Sequence, residues 1–322
     1  RFLIEKRLLV PTVQMIFRAC RKPITGRDEY LTGVAHPPVF DSATLDVERM
    51  VRMAHDLEPE AVPPLVMLEV EDEYLGQPGI DYFEAGDAEK LFDTLSAVAR
   101  VARSARERRR MVASVGKTED PNGKPLSFTW RLLHGDPQRV RIKPLDPLGT
   151  RAEILVDWHP RAVYPGSALP SARVDVGVFA DNGTNLSAPA FLTWYCPPNE
   201  RRTYEDVPAS AATDRQDRVN GDSPRRIASI ERLPATGPEH YADPMILTPV
   251  VWTDTYRYSD RGDLLGWTRT RPKGDAEEFT ADGRLVVKRD DAGQPAESRP
   301  VRYVRELTKP DTLPVLREVT AE

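Results

Sequence analysis

Five side chains with oxygen donors lie in two turns that are far apart in the chain. They are Asp120, Asn122, Asp181, Asn182 and Asn185. Carboxylate and amide oxygens are the ligands that Ca²⁺ takes from proteins, so the two turns predict a calcium site if they meet at one end of a β-sandwich. Asp and Asn also populate turns because their side chains hydrogen-bond the nearby backbone. The residue types leave both interpretations open.

Histidine spacing gives no helical zinc site, since the chain contains no His-x-x-x-His or His-Glu-x-x-His pair. It also lacks the Gly-x-Ser-x-Gly nucleophile elbow and the glycine-rich phosphate loops. His36, with Asp41 close behind it, lies in a proline-flanked loop. Without a nucleophile or metal partner, we interpret His36 as a hydrogen-bonded structural histidine. We therefore predict no catalytic residue, no cofactor-binding residue and no cofactor.

Aromatic side chains offer a second kind of chemistry, the stacking of rings against sugars. The candidates are Trp194, Tyr195, Trp252, Tyr256, Tyr258 and Trp267. The competing interpretation is that the aromatic residues of each strand face the core, where large apolar rings contribute most. Tyr256 and Tyr258 are two residues apart on one strand, so they must share a face.

Composition limits the class of protein. The chain has 322 residues, 40% of them hydrophobic, which allows two or three domains. A net charge of −5 gives no reason to expect nucleic acid as a partner, and thirty prolines argue against a long helical bundle. Two distant cysteines, Cys20 and Cys196, exclude a small disulfide scaffold and a cysteine-rich zinc site. No apolar run approaches the roughly 20 residues of a membrane helix.

The N-terminal part of the chain shows helical periodicity. Val13, Ile16 and Cys20 recur at helical spacing, and a second helix is expected behind Thr44 as its N-cap. Leu91, Leu95, Val98 and Ala102 predict a third helix that ends in the arginine-rich run 103–110. Because the sequence opens at Arg1 without a methionine, we interpret residues 1–110 as a helical or mixed segment at the tail of an upstream domain.

After residue 110 the spacing of apolar residues changes from a period of 3.6 to a period of 2. Strands with one buried face require this period. Apolar residues alternate with polar ones in three runs, around Trp130, Ile154 and Val176, and Asp/Asn-Gly turns separate the runs. This pattern predicts an antiparallel sandwich over residues 111–196. Residues 197–245 are predicted to be a linker, and repeated Asp-Gly turns predict a small β-meander domain over 246–322. The expected fold is mainly β with a helical N-terminal segment.

Two segments of the sandwich carry a family resemblance. The run 119–130 begins with an Asp-Pro-Asn-Gly turn and ends an alternating strand in Trp130, and the run 174–183 is a valine-rich strand that ends in Asp-Asn-Gly. Together they resemble the PKD-type and cadherin-like Ig domains of bacterial extracytoplasmic multi-domain proteins. The resemblance covers residues 111–195 only. It implies an Ig-like fold and a secreted, periplasmic or cell-surface location. The segment 160–170 departs from the family pattern as an insertion, which we interpret as a loop.

Three functions fit these observations. The first is a non-catalytic accessory, spacer or binding module, with a polysaccharide or another surface protein as partner. The second is the C-terminal part of an extracytoplasmic glycan- or nucleoside-processing hydrolase whose catalytic domain lies upstream. The third is a cytosolic interaction scaffold, which a signal peptide upstream would exclude. The missing catalytic motifs favour the first function over an enzyme.

Overall fold

The computed structural model describes residues 1–37, 40–76, 81–82, 88–164, 170–207, 225–233, 251–272, 274, 276–304 and 315–318. The chain divides into two compact units. The first unit comprises Arg1–Tyr74, Lys90–Arg100 and Arg109–Tyr195, and the second comprises Leu75–Glu89, Val101–Arg108 and Cys196–Glu322. Both units are built mainly from strands, which confirms the predicted fold class.

Four helices open the first unit. They are α1 (Phe2–Glu5), α2 (Leu9–Ala19), α3 (Arg27–Tyr30) and α4 (Val47–Asp56). The N-cap of α4 is Asp46, whose carboxylate accepts from the Arg49 N–H at 3.0 Å, and not the predicted Thr44. Met15 and Ile16 of α2 pack against Phe179 in a cluster outside the main core. No helix in the described part of the chain has the length and apolar character needed to cross a membrane.

Nine strands form the rest of the first unit. In chain order they are β1 (Glu69–Glu73), β2 (Lys90–Asp93), β3 (Ala97–Val101), β4 (Arg108–Ser114), β5 (Ser127–His134), β6 (Val140–Pro144), β7 (Arg151–Asp157), β8 (Arg173–Asp181) and β9 (Ala190–Tyr195). One sheet has the order β1-β4-β7-β6, and the other has the order β2-β3-β9-β8-β5. The runs β1-β4-β7-β6 and β9-β8-β5 reproduce the A-B-E-D and G-F-C orders of the immunoglobulin constant-type fold.

The core lies between these two sheets, as alternation predicted. Trp130, Ile154 and Val176 are 4%, 0% and 0% exposed and belong to one cluster that both sheets supply. Trp130 also donates its indole N–H to the Gly149 carbonyl at 2.8 Å, so its polar atom is satisfied inside the core. Gly149 has φ +70°, and a Cβ there would lie 2.5 Å from the Phe128 carbonyl oxygen, so this close approach requires glycine.

The prediction of a third helix over residues 91–102 is wrong. These residues form β2 and β3, joined by a turn in which Thr94 and Ala97 exchange hydrogen bonds. Val98 and Val101 are 2% exposed, and β3 lies between β2 and β9 in the sheet. The arginine run is likewise no helix end, since Arg108 begins β4. The sandwich therefore draws strands from upstream of the predicted boundary at residue 111.

The second unit contains one seven-stranded antiparallel sheet whose strands follow in chain order. They are β10 (Glu200–Asp206), β11 (Arg225–Arg232), β12 (Trp252–Tyr258), β13 (Leu264–Thr270), β14 (Glu277–Thr280), β15 (Leu285–Arg289) and β16 (Pro295–Arg299). A further pair consists of β17 (Val301–Val304) and β18 (Val315–Glu318). This arrangement confirms the predicted meander.

The meander also begins earlier than predicted. The predicted linker 197–245 contains β10 and β11, because both strands pair with the sheet that β12 continues. Residues 208–224 and 234–250, which include the rest of that linker, lie outside the described residues. The same holds for residues 165–169 of the predicted insertion loop.

Candidate functional site

The two Asp/Asn-rich turns meet at one end of the sandwich. The Asn182 amide nitrogen donates to the Asp120 carboxylate at 3.2 Å and to the Val62 carbonyl at 3.1 Å. The amide nitrogens of Asn122 and Asn185 donate to the carbonyls of Pro59 and Ala61, at 2.9 Å each. Four of the five residues predicted for calcium, Asp120, Asn122, Asn182 and Asn185, therefore join one hydrogen-bond network, and Asp181 lies beside Asn182 in the same turn.

The oxygens of this network already accept hydrogen bonds. Asp120 Oδ1 accepts from the backbone N–H of Asn122 at 2.8 Å, and Asn182 Oδ1 accepts from the N–H of Asn185 at 2.9 Å. Asp181 accepts from the Gly183 N–H at 2.9 Å and pairs with Arg27 at 2.5 Å. Among the described residues, no three His, Cys, Asp or Glu side chains are grouped to hold a metal. The side chains hydrogen-bond the nearby backbone, as the alternative interpretation predicts, and the calcium site stays a prediction.

Calcium titration tests this interpretation directly. We expect the melting temperature to be the same in excess EDTA and in millimolar Ca²⁺, because an ion would have to displace the backbone donors from Asp120 and Asn182. A bound ion at 100 times its dissociation constant would add about 2.7 kcal/mol to the stability of the folded state. A rise of several degrees that Asn182→Ala removes would instead establish the calcium site.

His36 has the structural role that its loop indicated. Its Nε2 lies 2.6 Å from the Tyr30 carbonyl, and its Nδ1 lies 3.3 Å from the Arg18 guanidinium. The guanidinium can only donate, so Nδ1 accepts and Nε2 carries the proton. Burial, together with the nearby charge of Arg18, lowers the pKa of His36 to about 3. Asp41 caps a short 3₁₀ turn by accepting from the Ala43 N–H and is not a hydrogen-bond partner of His36.

The six aromatic candidates separate into two groups. Trp194 belongs to the sandwich core, and Tyr195 lies beside the Arg173 guanidinium at 5.5 Å. The other four lie in the seven-stranded sheet, where Trp252, Tyr256 and Tyr258 alternate on β12 and Tyr256 pairs with Trp267 across to β13. Three of these four, Trp252, Tyr256 and Trp267, line one cavity of the second unit.

This cavity has a volume of about 130 Å³ and is partly open to solvent. Strands β10 to β13 supply most of its lining, and further lining residues are Asp81, Tyr82, Arg103, Ala105, Arg106 and Pro197. Its lining mixes aromatic rings with carboxylates and guanidinium groups. Its charged and aromatic lining residues include Glu200, Arg232, Trp252, Asp254, Tyr256 and Arg269. Ligand sites commonly have this character, in which a few fixed polar groups lie among aromatic walls.

Three buried ion pairs fix the polar part of the lining. Asp254 and Arg269 form a bidentate pair with distances of 2.6 and 2.7 Å, and both side chains are almost completely buried. Glu200 pairs with Arg232 at 2.6 Å and with Arg202 at 2.8 Å. Burial alone would raise the pKa of Glu200, but the two guanidinium groups outweigh it and lower that pKa. Glu200 therefore stays ionised and acts as a hydrogen-bond acceptor.

The aromatic part of the lining is held by stacking. The guanidinium groups of Arg232 and Arg269 reach Trp252 from the strands on its two sides, each 4.2 Å from the ring centroid. Tyr256 stacks on Trp267 with ring centroids 5.7 Å apart, and Trp267 stacks on Phe279 at 5.2 Å. The rings and the ion pairs thus form one rigid surface.

The hydroxyl group of Tyr256 belongs to this surface. The Tyr256 ring lines the cavity, yet its hydroxyl group bonds no donor or acceptor in the described part of the chain. Tyr258, two residues further along the same face, donates its hydroxyl to the Ile227 carbonyl at 2.8 Å. Burial, and then the charge of Asp254, raises the pKa of Tyr256, so its hydroxyl remains protonated and can donate.

Sequence reasoning identified the aromatic residues of this site and missed the charged ones. The alternation Trp252-x-Asp254-x-Tyr256 does place a carboxylate on the same face as the rings, and that was the available signal. The partners of this carboxylate and of Glu200 lie on other strands, and their pairing depends on a register that local sequence does not fix.

Comparisons with known proteins give little further guidance. No protein-family model and no curated protein matches the chain. Among solved structures, it is similar to a nucleoside hydrolase-related hypothetical protein from Saccharophagus degradans, described as associated with carbohydrate metabolism. The identity is 14%, and the match covers 46% of this chain and 30% of that protein. Its TM-score of 0.24 does not indicate a shared fold.

Proposed function

We propose that this chain is a non-catalytic binding module and that the cavity of the second unit binds carbohydrate. The observation that carries the proposal is the Tyr256 hydroxyl, a donor in a lined cavity that has no acceptor among the described residues. The hydroxyl can donate to a ligand oxygen at this position, and one such hydrogen bond contributes about 0.5–1.5 kcal/mol.

Sugars match the rest of the lining. A sugar hydroxyl both donates and accepts, and the carboxylates of Asp254 and Glu200 in the lining have further lone pairs that can accept from it. The ion pairs hold these groups in fixed positions before a ligand arrives, which reduces the entropy lost on binding. The aromatic rings lower the local dielectric constant, which strengthens hydrogen bonds beside them.

The same geometry favours binding over glycoside hydrolysis. Hydrolysis by paired carboxyl groups requires one of them to be protonated as a general acid. Glu200 is held ionised by Arg202 and Arg232, and both Asp254 oxygens are bound to Arg269. We extend the proposal to an extracytoplasmic setting, secreted, periplasmic or on the cell surface, which the Ig-like resemblance of the sandwich supports. A position as the C-terminal part of a larger hydrolase is compatible with this role.

The Tyr256→Phe variant tests the proposal. It removes one oxygen and keeps the stacked ring, so we expect the affinity for sugar to fall about 5- to 30-fold, which corresponds to one lost hydrogen bond. The stability of the folded state should not decrease, since the hydroxyl has no partner to lose. Binding is first located on an array of glycans and then measured by isothermal titration calorimetry.

Tyr258→Phe is the matched control on the same strand and face. It loses a hydrogen bond to the Ile227 carbonyl, so we expect lower stability with unchanged affinity. Ala105→Trp should fill the cavity and abolish binding, whereas Ala292→Trp, at an exposed turn, should not. If no glycan binds, or if Tyr256→Phe binds as tightly as the unmodified protein, the proposed site is wrong. Release of a shortened or hydrolysed sugar would replace the binding role with an enzymatic one.

A further inference from the structure

We infer that Arg18 forms a second binding site, which takes an oxyanion, a carboxylate or a phosphate, on the edge of its guanidinium that carries Nε and Nη2. Arg18 lies in the last turn of α2, in the first unit, whereas the cavity that we propose for carbohydrate lies in the second. The inference therefore goes beyond the proposed function and does not depend on it.

Two aromatic rings and one imidazole hold the Arg18 guanidinium in place. Its central carbon lies over the Phe40 ring, 5.0 Å from the centroid, and over the Phe191 ring, 5.2 Å from the centroid. Its Nη1 donates to Nδ1 of His36 at 3.3 Å. His36 is itself held, because its Nε2 donates to the Tyr30 carbonyl at 2.6 Å. The guanidinium is therefore oriented before a ligand binds, which reduces the entropy lost on binding.

The other edge of this guanidinium has no partner among the described residues. Nη1 makes the one hydrogen bond of the Arg18 side chain there, so Nε and Nη2 keep their donors for other acceptors. The Arg18 side chain is half-buried, and neither Nε nor Nη2 belongs to the fully buried atoms without a hydrogen bond. Solvent therefore reaches both donors, and a small ligand can meet them.

The same edge binds a carboxylate on other arginines of this chain. Nε and Nη2 of Arg100 donate to the two carboxylate oxygens of Glu73, at 2.8 and 2.7 Å. The same atoms of Arg269 donate to Asp254, at 2.7 and 2.6 Å. The planar guanidinium fork matches the oxygens of a carboxylate or a phosphate in this bidentate arrangement. Arg18 offers this arrangement without a carboxylate of the described chain to complete it.

The positive charge at this place is not neutralised by an ion pair. Arg21 lies beside Arg18, with its guanidinium carbon 5.8 Å from the centroid of the same Phe40 ring. It donates to the Val34 carbonyl and the Thr44 hydroxyl, and among the described residues no carboxylate pairs with either arginine. Burial, and to a smaller extent the charge of Arg21, lowers the pKa of Arg18. An anion would offset this unfavourable energy of the charged guanidinium.

Two carboxylates act on these arginines through their charge and do not occupy the free edge. Asp175 is buried on β8, and its Oδ1 already accepts from Arg173 at 2.8 Å and from Thr193 at 2.6 Å. Asp41 is exposed and caps a short 3₁₀ turn. The Nε and Nη2 donors of Arg18 therefore remain for an anion that comes from solution.

NMR spectroscopy of the full chain tests the inference at the donor itself. The Nε–H signal of Arg18 is followed in a nitrogen–proton correlation spectrum while sodium acetate or sodium phosphate replaces sodium chloride at constant ionic strength. We expect this signal to shift along a saturating curve with acetate, with phosphate or with both. The anion with the lower dissociation constant identifies whether the site prefers a carboxylate or a phosphate.

Two lysine variants separate a bidentate site from general attraction of anions. Arg18→Lys keeps the charge and removes the planar edge, so we expect the affinity to fall about 10- to 100-fold, as read from the backbone amide signal of His36. Arg257 is exposed on β12, and Arg257→Lys should leave the affinity unchanged. Tyr256→Phe should also leave it unchanged, since that variant alters the second unit.

Three results would overturn the inference. They are an Arg18 signal that responds to neither anion, a linear response equal to that of Arg257, and an Arg18→Lys variant that binds as tightly as the unmodified protein. If Arg18→Lys does not fold, titration of the unmodified protein still decides, because the Arg18 signal is assigned through its bonds to the backbone. Failure of sugar binding would refute the proposed function and leave this site standing.

Discussion

Asp254→Ala is expected to destabilise the seven-stranded unit by about 3–5 kcal/mol. Asp254 and Arg269 are 5% and 7% exposed and form two short hydrogen bonds, so removal of the carboxylate takes both of these charge-assisted bonds from a buried guanidinium. The loss is measured as the free energy of unfolding in urea. Hydrogen exchange of peptides that cover 252–270 assigns the loss to this unit, which is needed because a chain of two units does not have to unfold in one step.

An exposed ion pair of the same sheet provides the control. Glu231 pairs with Arg201 at 2.7 Å, but these side chains are 39% and 67% exposed, and such pairs contribute about 0–1 kcal/mol. We therefore expect Glu231→Ala to have a small effect. The double variant Asp254→Leu with Arg269→Met removes both charges and should recover much of the stability. Equal losses for Asp254→Ala and Glu231→Ala would show that solvent reaches the buried pair.

Asp254→Ala also links stability to the proposed site. The carboxylate orients Arg269 against Trp252, and all three residues line the cavity. The variant should therefore lose sugar affinity more strongly than Tyr256→Phe does, because it disturbs the surface as well as removing an acceptor. Sugar affinities of Asp254→Ala and Tyr256→Phe are compared at a temperature where both variants are folded. This separates the loss of affinity at the site from the loss of folded protein.

The core of the sandwich could be predicted because its signal is local. Every second residue around Trp130, Ile154 and Val176 is apolar, and one face of each strand must be buried, so the pattern alone identifies the inward side chains. The Asp-Gly turns similarly predicted the meander, because positive φ angles at positions such as Gly283 and Gly293 restrict the residue type.

The helix prediction for residues 91–102 was wrong for the opposite reason, because the structure of this segment depends on contacts that are distant in sequence. Leu91, Leu95 and Val98 also fit helical spacing, and a short apolar run does not distinguish the two periods. The segment becomes a strand because β3 joins the sheet beside β9, about 90 residues further along the chain. Pairing over that distance depends on tertiary structure, which overrides a local preference.

The candidate site shows the same limit. Trp252, Asp254 and Tyr256 could be placed on one face from their spacing, but Glu200 and residues 103–106 reach the cavity from distant parts of the chain. The calcium prediction illustrates a further limit. Sequence could indicate that Asp120 and Asn182 meet, whereas the hydrogen bonds that occupy their oxygens depend on the conformation of the two turns.

Acid is expected to destabilise the sandwich unit steeply between pH 6.5 and pH 5. Burial lowers the pKa of His36, to about 3, and also lowers the pKa values of His134 and His159. An imidazole in the unfolded chain titrates near 6.5, so below that pH the unfolded state binds more protons than the folded state. Stability is therefore fully present above pH 6.5 and falls by up to about 1.4 kcal/mol per pH unit for each histidine. For His36 the fall continues to about pH 3.

Urea unfolding at several pH values measures this slope, and His36→Gln isolates one contribution. Glutamine keeps a donor for the Tyr30 carbonyl but does not titrate, so we expect the slope between pH 6.5 and 5 to decrease by about 1.4 kcal/mol per pH unit. His55 is exposed on α4, and His55→Gln should leave the slope unchanged. The interval from pH 6.5 to pH 5 lies above the usual pKa range of carboxylates. Their protonation therefore adds little to the slope in this interval. An unchanged slope in His36→Gln would mean that this imidazole accepts a proton without unfolding and that Arg18 can move away from it.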